Sequence, residues 1–363
     1  MTVLLGGTWG GVDAAEAARV TIGEAAAEHW PVLPELPERG PGADAVGRTA
    51  ALLPELAVDL QPHGWRIAPS SAGLGVDRRR AVSYLAEDLH RWADVAGAEG
   101  LAVDRLALRV HGPLSLLAGL WLPGGERVLV DAGARRDVVD ALAEALASLM
   151  RRVREQTEAR HIGLVLDEPR AAAAQAGTLP TASGYRTVRA LPRDEARRHW
   201  SRVLEALDGS ADCVWLNAEP RPVSAERSGA FLAGEDGDAV RRAARRLREL
   251  AVELVDAAPA VTACLRLGRV DGEAAASVWG LAAAASERGA PERAPVAVGT
   301  DLAPETLLHE AERVGVDPAL LARWDLIGPG TLDGEATVAG LRGAVAHRTE
   351  LIERPAPRGG DRG

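Results

Sequence analysis

The segment IGLVLDEP at Ile162–Pro169 lies between two long amphipathic stretches, Arg135–Thr157 before it and Asp194–Leu207 after it. A short apolar run of this kind predicts a strand buried on both faces, as in a parallel sheet. The two flanking stretches carry apolar residues at helical spacing. A helix–strand–helix succession favours a parallel sheet that is covered by helices.

The same alternation continues in both directions along the 363 residues. Seven further apolar runs predict strands, at Val3–Thr8, Leu56–Leu60, Leu106–Val110, Cys213–Leu216, Ala260–Leu265, Pro295–Gly299 and Trp324–Ile327. Helical spacing extends over Val12–His29, Arg78–Ala98, Asp238–Ala257, Gly272–Arg288, Pro304–Val314 and Glu335–Ile352. Eight strands alternating with helices predict an α/β fold, a (β/α)8 TIM barrel, with a doubly wound open sheet as the alternative.

We expect one barrel domain over residues 1–353, with two departures from plain alternation. The stretch Trp30–Gly42 contains four prolines and predicts an ordered loop or an extended arm. The stretch Leu120–Asp131 predicts a β-hairpin that turns at Gly124 and Gly125. The tail, residues 354–363, is expected to be disordered.

The composition excludes several kinds of chemistry. All 42 basic residues are arginine, so no lysine is present for a Schiff base with pyridoxal phosphate or an aldolase substrate, or for a Walker A loop. Two cysteines, Cys213 and Cys264, cannot form a four-cysteine zinc site or an all-cysteine iron–sulfur cluster. The net charge of −10 argues against nucleic acid or an anionic membrane as the main partner.

The expected location is the cytoplasm. The first residues, MTVLLGGTWGG, lack the basic region and long apolar core of a secretory signal. No stretch approaches the ~18 consecutive apolar residues of a membrane span. We therefore expect a small molecule as the partner, and the sequence does not predict an oligomeric state.

Candidate functional residues lie where the predicted strands end, because barrel enzymes place their sites there. Asp167 and Glu168 are adjacent at such an end, so one carboxylate should face the barrel mouth and the other the helix layer. The inward carboxylate could bind a substrate ammonium group or act as a general base; capping of the next loop is the alternative. His111 ends another strand, either as a core histidine or as a catalytic one.

Asn217, the only asparagine, is a further acid–base or polarising candidate at a strand end. Cys264 lies in an apolar strand, where a buried inert thiol is the usual role.

Three tryptophans near strand ends either pack in the core or offer a stacking surface for a flat ligand. The candidate substrate-binding positions are Thr8, Trp9, Gln61, Trp65, Asp167, Trp215 and Cys264.

Several motifs together resemble the cobalamin-independent methionine synthases. LVLDEP at Leu164–Pro169 is similar to the Asp-Glu-Pro motif of that family, and GGTWGGVD at Gly6–Asp13 is similar to its first-strand motif. A short, single-barrel actinobacterial branch is more similar still, over nearly the whole chain. The segments that carry this similarity are LPELPERGPGADAVGRTAALL at Leu33–Leu53, VDLQPHGWR at Val58–Arg66, VHGPLSLL at Val110–Leu117 and LPTASG at Leu179–Gly184. The proline-rich segment is the most specific of them.

The resemblance implies a (β/α)8 barrel descended from enzymes that transfer a methyl group to a thiol. In the family, zinc binds the homocysteine sulfur and presents a thiolate to a folate-borne methyl group. The zinc-ligand positions align here with Trp215, Asn217, Cys264 and about Gly330. Because one thiolate does not hold zinc, we expect no metal site and no resident cofactor, with folate remaining a candidate ligand.

The amino-acid-binding half of the family site is better retained. Asp167 matches the carboxylate that binds the homocysteine ammonium group, and Thr8 stands where the family has serine. The first hypothesis is therefore an enzyme of specialised metabolism that acts on an amino-acid-like or thiol-bearing molecule by metal-free group transfer or acid–base chemistry. A non-catalytic binding protein is the second. A methyltransferase with a relocated metal site of His63, His111 and Cys264 is the third.

Overall fold

The computed structural model describes residues 1–25, 28–68, 75–98, 103–221, 234–258, 260–288, 294–328, 331 and 335–353. The predicted disordered tail and Gly330 lie outside these residues. Among the residues described, no helix combines the length and the apolar character needed to cross a membrane.

Eight parallel strands close into a barrel, and helices surround it. The described strands are β1 (Val3–Thr8), β2 (Trp30–Glu35), β3 (Val58–Gln61), β4 (Gly64–Ile67), β5 (Arg105–His111), β6 (His161–Asp167), β7 (Cys213–Asn217), β8 (Val261–Leu267), β9 (Val296–Thr300) and β10 (Asp325–Ile327). The order around the barrel is β1-β10-β9-β8-β7-β6-β5-β2, whereas β3 and β4 form a separate antiparallel pair. The expected (β/α)8 barrel is confirmed.

The helices follow the predicted alternation, and three short ones were not predicted. The described helices are α1 (Ala14–Glu24), α2 (Ala45–Ala50), α3 (Val76–Ala98), α4 (Pro113–Gly119), α5 (Ala132–Thr157), α6 (Ala171–Ala176), α7 (Arg193–Leu207), α8 (Gly234–Ala257), α9 (Glu273–Arg288), α10 (Pro304–Arg313) and α11 (Val338–Glu353). The unpredicted helices, α2, α4 and α6, have six or seven residues each, too few for a clear helical period.

The second barrel strand is β2, which begins the proline-rich stretch Trp30–Gly42. Of the two alternatives for this stretch, the extended one holds at Trp30–Glu35 and the loop is wrong there. The barrel strand predicted at Leu56–Leu60 is also wrong. Pro31 and Pro34 lack the N–H groups that a central strand normally donates. Nevertheless every residue of β2 is buried. The strand pairs with β1 through several residues, whereas its pairing with β5 is limited to Val32 and Ala107. Burial of the apolar side chains therefore outweighs the missing hydrogen bonds.

The strand predicted at Leu56–Leu60 instead belongs to the β3–β4 hairpin beside the barrel mouth. The segment at Leu120–Asp131 extends this hairpin, because Trp121 donates its N–H to Trp65 O (2.9 Å) and accepts from Ile67 N (2.8 Å). Its own turn contains one antiparallel bridge, Trp121–Arg127, and a 3-10 turn follows at Val128–Val130. The bonds from Leu122 N to Glu126 O (2.7 Å) and from Val128 N to Leu120 O (2.9 Å) make this a minimal hairpin, and its turn contains Gly124 and Gly125 as predicted.

The barrel interior is filled by side chains from alternate strand positions. The residues packed there are Leu4, Trp30, Val32, Ala107, Val165, Trp215, Cys264 and Ala297. Trp30 and Trp215 meet edge to face, with ring centroids 5.0 Å apart. Gly163 allows this arrangement, since a Cβ on Gly163 would lie 2.3 Å from the Trp215 ring. Polar side chains therefore begin above this apolar layer, at the carboxyl ends of the strands.

Candidate functional site

A cavity of about 700 Å³ lies at the carboxyl ends of β1, β2, β5 and β6. Its polar lining comes mainly from the strand ends and the loops after them: Thr8, Glu35, Arg109, His111, Asp167, Arg170 and Arg221. Its more apolar lining comes from the hairpin, from α2 and from the Trp121 segment: Ala45, Val46, Leu60, His63, Trp65 and Trp121. This is the size and mixed polarity of a small-molecule site.

Asp167 and Glu168 point to opposite faces of β6, as the alternation of strand side chains predicts. The Asp167 carboxylate lines the cavity and accepts a hydrogen bond from Asn217 Nδ2 at 2.8 Å. It also forms an ion pair with Arg221, whose guanidinium donates to Asp167 Oδ2. Asn217 in turn accepts from Glu219 N at 3.3 Å, so the Asp167 carboxylate is held from two sides.

Glu168 is buried in the helix layer, away from the cavity. Its carboxylate accepts hydrogen bonds from Leu114 N (3.0 Å), Ser115 N (2.6 Å) and Trp200 Nε1 (2.7 Å). It therefore caps α4, where the N-cap residue, Gly112, has no side chain to do so. Burial raises the pKa of Glu168 to about 7, because the loss of hydration outweighs these hydrogen bonds. This position does not support the acid–base role predicted for Glu168.

A buried ion pair, Arg109–Glu35, links neighbouring strands at the wall of the cavity. Arg109 is 8 % and Glu35 5 % exposed. The guanidinium of Arg109 donates to Glu35, to Thr8 Oγ1 and, at 2.7 Å, to Thr331 O. Burial alone would raise the pKa of Glu35, but the charges of Arg109 and Arg48 outweigh it and hold that pKa below its usual value. In the sequence, Arg109 could have been noticed as the arginine within the apolar run LALRVH, because a charged residue inside a buried strand needs a partner.

His111 lines the cavity with both of its ring nitrogens unused as hydrogen-bonding groups among the described residues. Its backbone N–H donates to Thr49 Oγ1 at 3.0 Å, but within the described part of the chain neither ring nitrogen has a hydrogen-bond partner. The residue is only 4 % exposed. Burial lowers the pKa of His111 to about 4, and the charges of Arg170 and Arg221 act in the same direction. The ring is therefore neutral at neutral pH and offers one donor and one acceptor.

The other residues predicted to bind substrate lie at different places in the fold rather than in one site. Thr8 and Trp65 line the large cavity, and Trp65 Nε1 donates to Asp44 Oδ2 at 3.0 Å. Trp215 is buried in the barrel interior, and Trp9 packs against the apolar cluster of β1 and α11. Gln61, the last residue of β3, is not part of the cavity lining. The three tryptophans, Trp9, Trp65 and Trp215, thus do not form a shared stacking surface.

Asn217 and Cys264 instead line a second, smaller cavity of about 110 Å³ at the ends of β7, β8 and β9. The Cys264 thiol is buried, and burial raises its pKa well above the ordinary value. Arg221 lines both cavities and stands between them. The strand ends of the barrel mouth are therefore divided into two compartments.

The donor atoms at the strand ends do not fit the zinc of the methionine synthases. Over the described ranges, no three His, Cys, Asp or Glu side chains are grouped so that they could hold a metal ion. His63 and His111 line the large cavity, whereas Cys264 lines the small one. These three residues of the relocated-site hypothesis are thus not brought together as ligands.

Sequence reasoning missed four arginines that line the large cavity: Arg109, Arg127, Arg170 and Arg221. The carboxylates that line it are Glu35, Asp44 and Asp167, so the lining carries more positive than negative charge. Except for Arg109, these arginines lie outside the strands, and arginine is the only strong base in this chain. An arginine in a loop of this chain therefore does not by itself indicate a binding site.

No family model and no curated protein matches this chain. The resemblance to methionine synthases rests on the sequence motifs quoted above.

Proposed function

We propose that this chain is a methionine synthase-like barrel enzyme, without the zinc ligands of that family, which acts on a small amino-acid-like molecule. The observation that carries the proposal is the neutral His111 ring, which is buried and finds no hydrogen-bond partner among the described residues, beside the Asp167–Arg221 ion pair in one cavity. Buried polar groups without partners are rare in proteins, and a catalytic role is one of the recognised reasons for them.

The Asp167–Arg221 pair matches the charges of a zwitterion. An α-ammonium group would pair with Asp167, and the α-carboxylate would pair with Arg221. The Nη1 atom of Arg221 is buried and has no hydrogen-bond partner in the described chain, so it can donate to an incoming carboxylate without losing a bond. Charge-assisted hydrogen bonds of this type are the stronger ones in proteins.

His111 would accept a proton from the bound molecule. Its neutral ring has one unprotonated nitrogen, and the ring lies close enough to Asp167 and Arg221 for both charges to affect its pKa. The positive charges of Arg170 and Arg221 weaken the basicity of the ring. The same charges would stabilise negative charge on a substrate that has lost its proton. We therefore assign His111 the role of proton acceptor and the two arginines that of stabilising the anion that forms.

Ligand binding can be measured by thermal shift with a panel of α-amino acids that includes methionine and homocysteine. At least one should raise the melting temperature saturably, because a ligand at about 100 times its Kd adds about 2.7 kcal/mol to the free energy of unfolding. Asp167→Asn and Arg221→Met should each weaken binding about tenfold or more, since each removes a charged hydrogen-bond partner.

Asp140→Asn is the matched control, because Asp140 forms an exposed ion pair with Arg202 (2.7 Å) outside the cavity. This variant should bind like the wild type. The proposal is wrong if no amino acid stabilises the protein, or if Asp167→Asn binds the stabilising amino acid with unchanged affinity.

The role of His111 predicts a distinctive pH dependence. With the stabilising amino acid in D2O, exchange of its α-hydrogen should require neutral His111. The rate should therefore rise with pH through about 4, the pKa of this ring, and stay level up to neutral pH. An ordinary histidine would place that rise near pH 6.5. Mass spectrometry measures the deuterium gained.

His111→Gln should reduce the exchange by about 100-fold or more, the contribution typical of a positioned base. Exchange that persists in this variant would remove His111 from the mechanism. Saturable binding without any exchange or turnover would favour the non-catalytic binding protein instead.

A further inference from the structure

Two buried arginines on the wall of the large cavity converge on one atom. Arg127 Nη1 and Arg170 Nη1 both donate to Ala118 O, at 2.5 Å and 3.4 Å. Both side chains line the cavity and are less than a tenth exposed. Two guanidiniums that share one carbonyl oxygen concentrate positive charge at one point of a low-dielectric wall.

The Arg127 guanidinium is held by several contacts before any ligand arrives, and Arg170 is fixed at its backbone. Arg127 also donates through Nε to Pro180 O (3.0 Å) and lies over the Trp121 ring, 4.5 Å from its centroid. The backbone N–H of Arg170 donates to Ser115 Oγ at 3.0 Å. Little side-chain entropy would therefore be lost when an anion binds to Arg127.

The His111 ring is the second, independent observation at this place. Its two ring nitrogens are buried and have no hydrogen-bond partner in the part of the chain that the structure describes, and the ring lines the same cavity. It is close enough to Arg170 for that charge to act on its titration. A neutral imidazole has one N–H to donate, and this leaves the other nitrogen available as a proton acceptor.

We propose that Arg127, Arg170 and His111 form an anion subsite for a second acidic group of the substrate, either a carboxylate or a phosphoryl group. The inference rests on the proposed function and narrows its substrate class to amino acids with an acidic or phosphorylated side chain. The α-ammonium and α-carboxylate would bind Asp167 and Arg221, and the remote anion would bind the two arginines. A cavity of about 700 Å³ leaves room for such a ligand.

Calorimetry at constant ionic strength can compare alanine, glutamate, O-phosphoserine and inorganic phosphate. Glutamate or O-phosphoserine should bind about tenfold or more tightly than alanine, because charge-assisted hydrogen bonds are added. The tighter of the two identifies the anion as carboxylate or phosphoryl. Arg170→Gln should abolish the advantage over alanine, whereas Arg170→Lys should retain part of it. Arg189→Gln removes an exposed arginine outside the cavity and should leave all affinities unchanged.

The failures of the two proposals are distinguishable. If alanine binds and the acidic amino acids bind no tighter, the anion subsite is wrong and the zwitterion site stands. If inorganic phosphate binds and requires Arg170 while alanine does not bind, the subsite stands and the zwitterion site is wrong. Should Arg170→Gln fail to fold, Arg170→Lys and His111→Gln decide the question, and unchanged preference for the acidic ligand in both would overturn the subsite.

Discussion

Replacing Arg109 by methionine is expected to lower the free energy of unfolding by about 3 kcal/mol or more, because it leaves a buried carboxylate without its main partner. Arg109 forms the ion pair with Glu35 and also donates to Thr8 and to the Thr331 carbonyl. All of these bonds are lost together. Arg48 also acts on Glu35, so some compensation remains and we place the loss at the lower end of the usual range. Chemical denaturation at pH 7 measures the change.

A double variant separates the buried charge from lost packing. Glu35→Gln combined with Arg109→Met should be less destabilised than the two single changes added together, since neither charge then remains alone. Arg105→Met is the control on the same strand, because Arg105 is only half-buried, donates to the Glu28 carbonyl and lies over the Trp30 ring, 5.6 Å from its centroid. It should cost about 1 kcal/mol or less. A loss for Arg109→Met no larger than that of the control would contradict this account.

Replacing Glu168 by alanine is expected to destabilise the protein by about 3 to 5 kcal/mol, because three buried donors lose their acceptor at once. The donors are the amides of Leu114 and Ser115 at the start of α4 and the Trp200 indole. Glu168→Gln should cost less, since it retains the shape and one acceptor oxygen. Thermal and chemical unfolding both report the change, and Glu144→Gln on the exposed face of α5 is the control.

Glu168 should also shape the dependence of stability on pH. Its pKa is about 7 in the folded protein against an ordinary value of 4.5, so the folded state binds this proton more tightly than the unfolded state does. The resulting stability is present below pH 4.5 and is lost as the pH rises to 7. It amounts to on the order of 3 kcal/mol. The Glu168→Gln variant should lack this part of the slope. An identical slope in the variant and the wild type would show that the carboxyl group of Glu168 is not shifted in this way.

Seven barrel strands were predicted correctly from short apolar runs, because a strand buried on both faces is almost entirely apolar whereas the helices around it carry many charged residues. The opposite directions of Asp167 and Glu168 were likewise readable from the two-residue period of a strand. The eighth strand, β2, was not readable. Its prolines are a local signal against a central strand, and the burial that overrides them depends on β1 and β5, which are distant in the sequence.

The alternation of apolar runs and helical stretches predicted a parallel sheet covered by helices, with a barrel as the favoured form, and it indicated the strand ends where polar groups gather. Folding alone determined which of those groups meet. Asp167 and Arg221 are 54 residues apart, Arg109 and Thr331 are 222 apart, and no local pattern encodes such pairs. The reason is physical: side-chain direction follows from local backbone geometry, whereas ion pairing depends on how loops from different strands come together around one cavity.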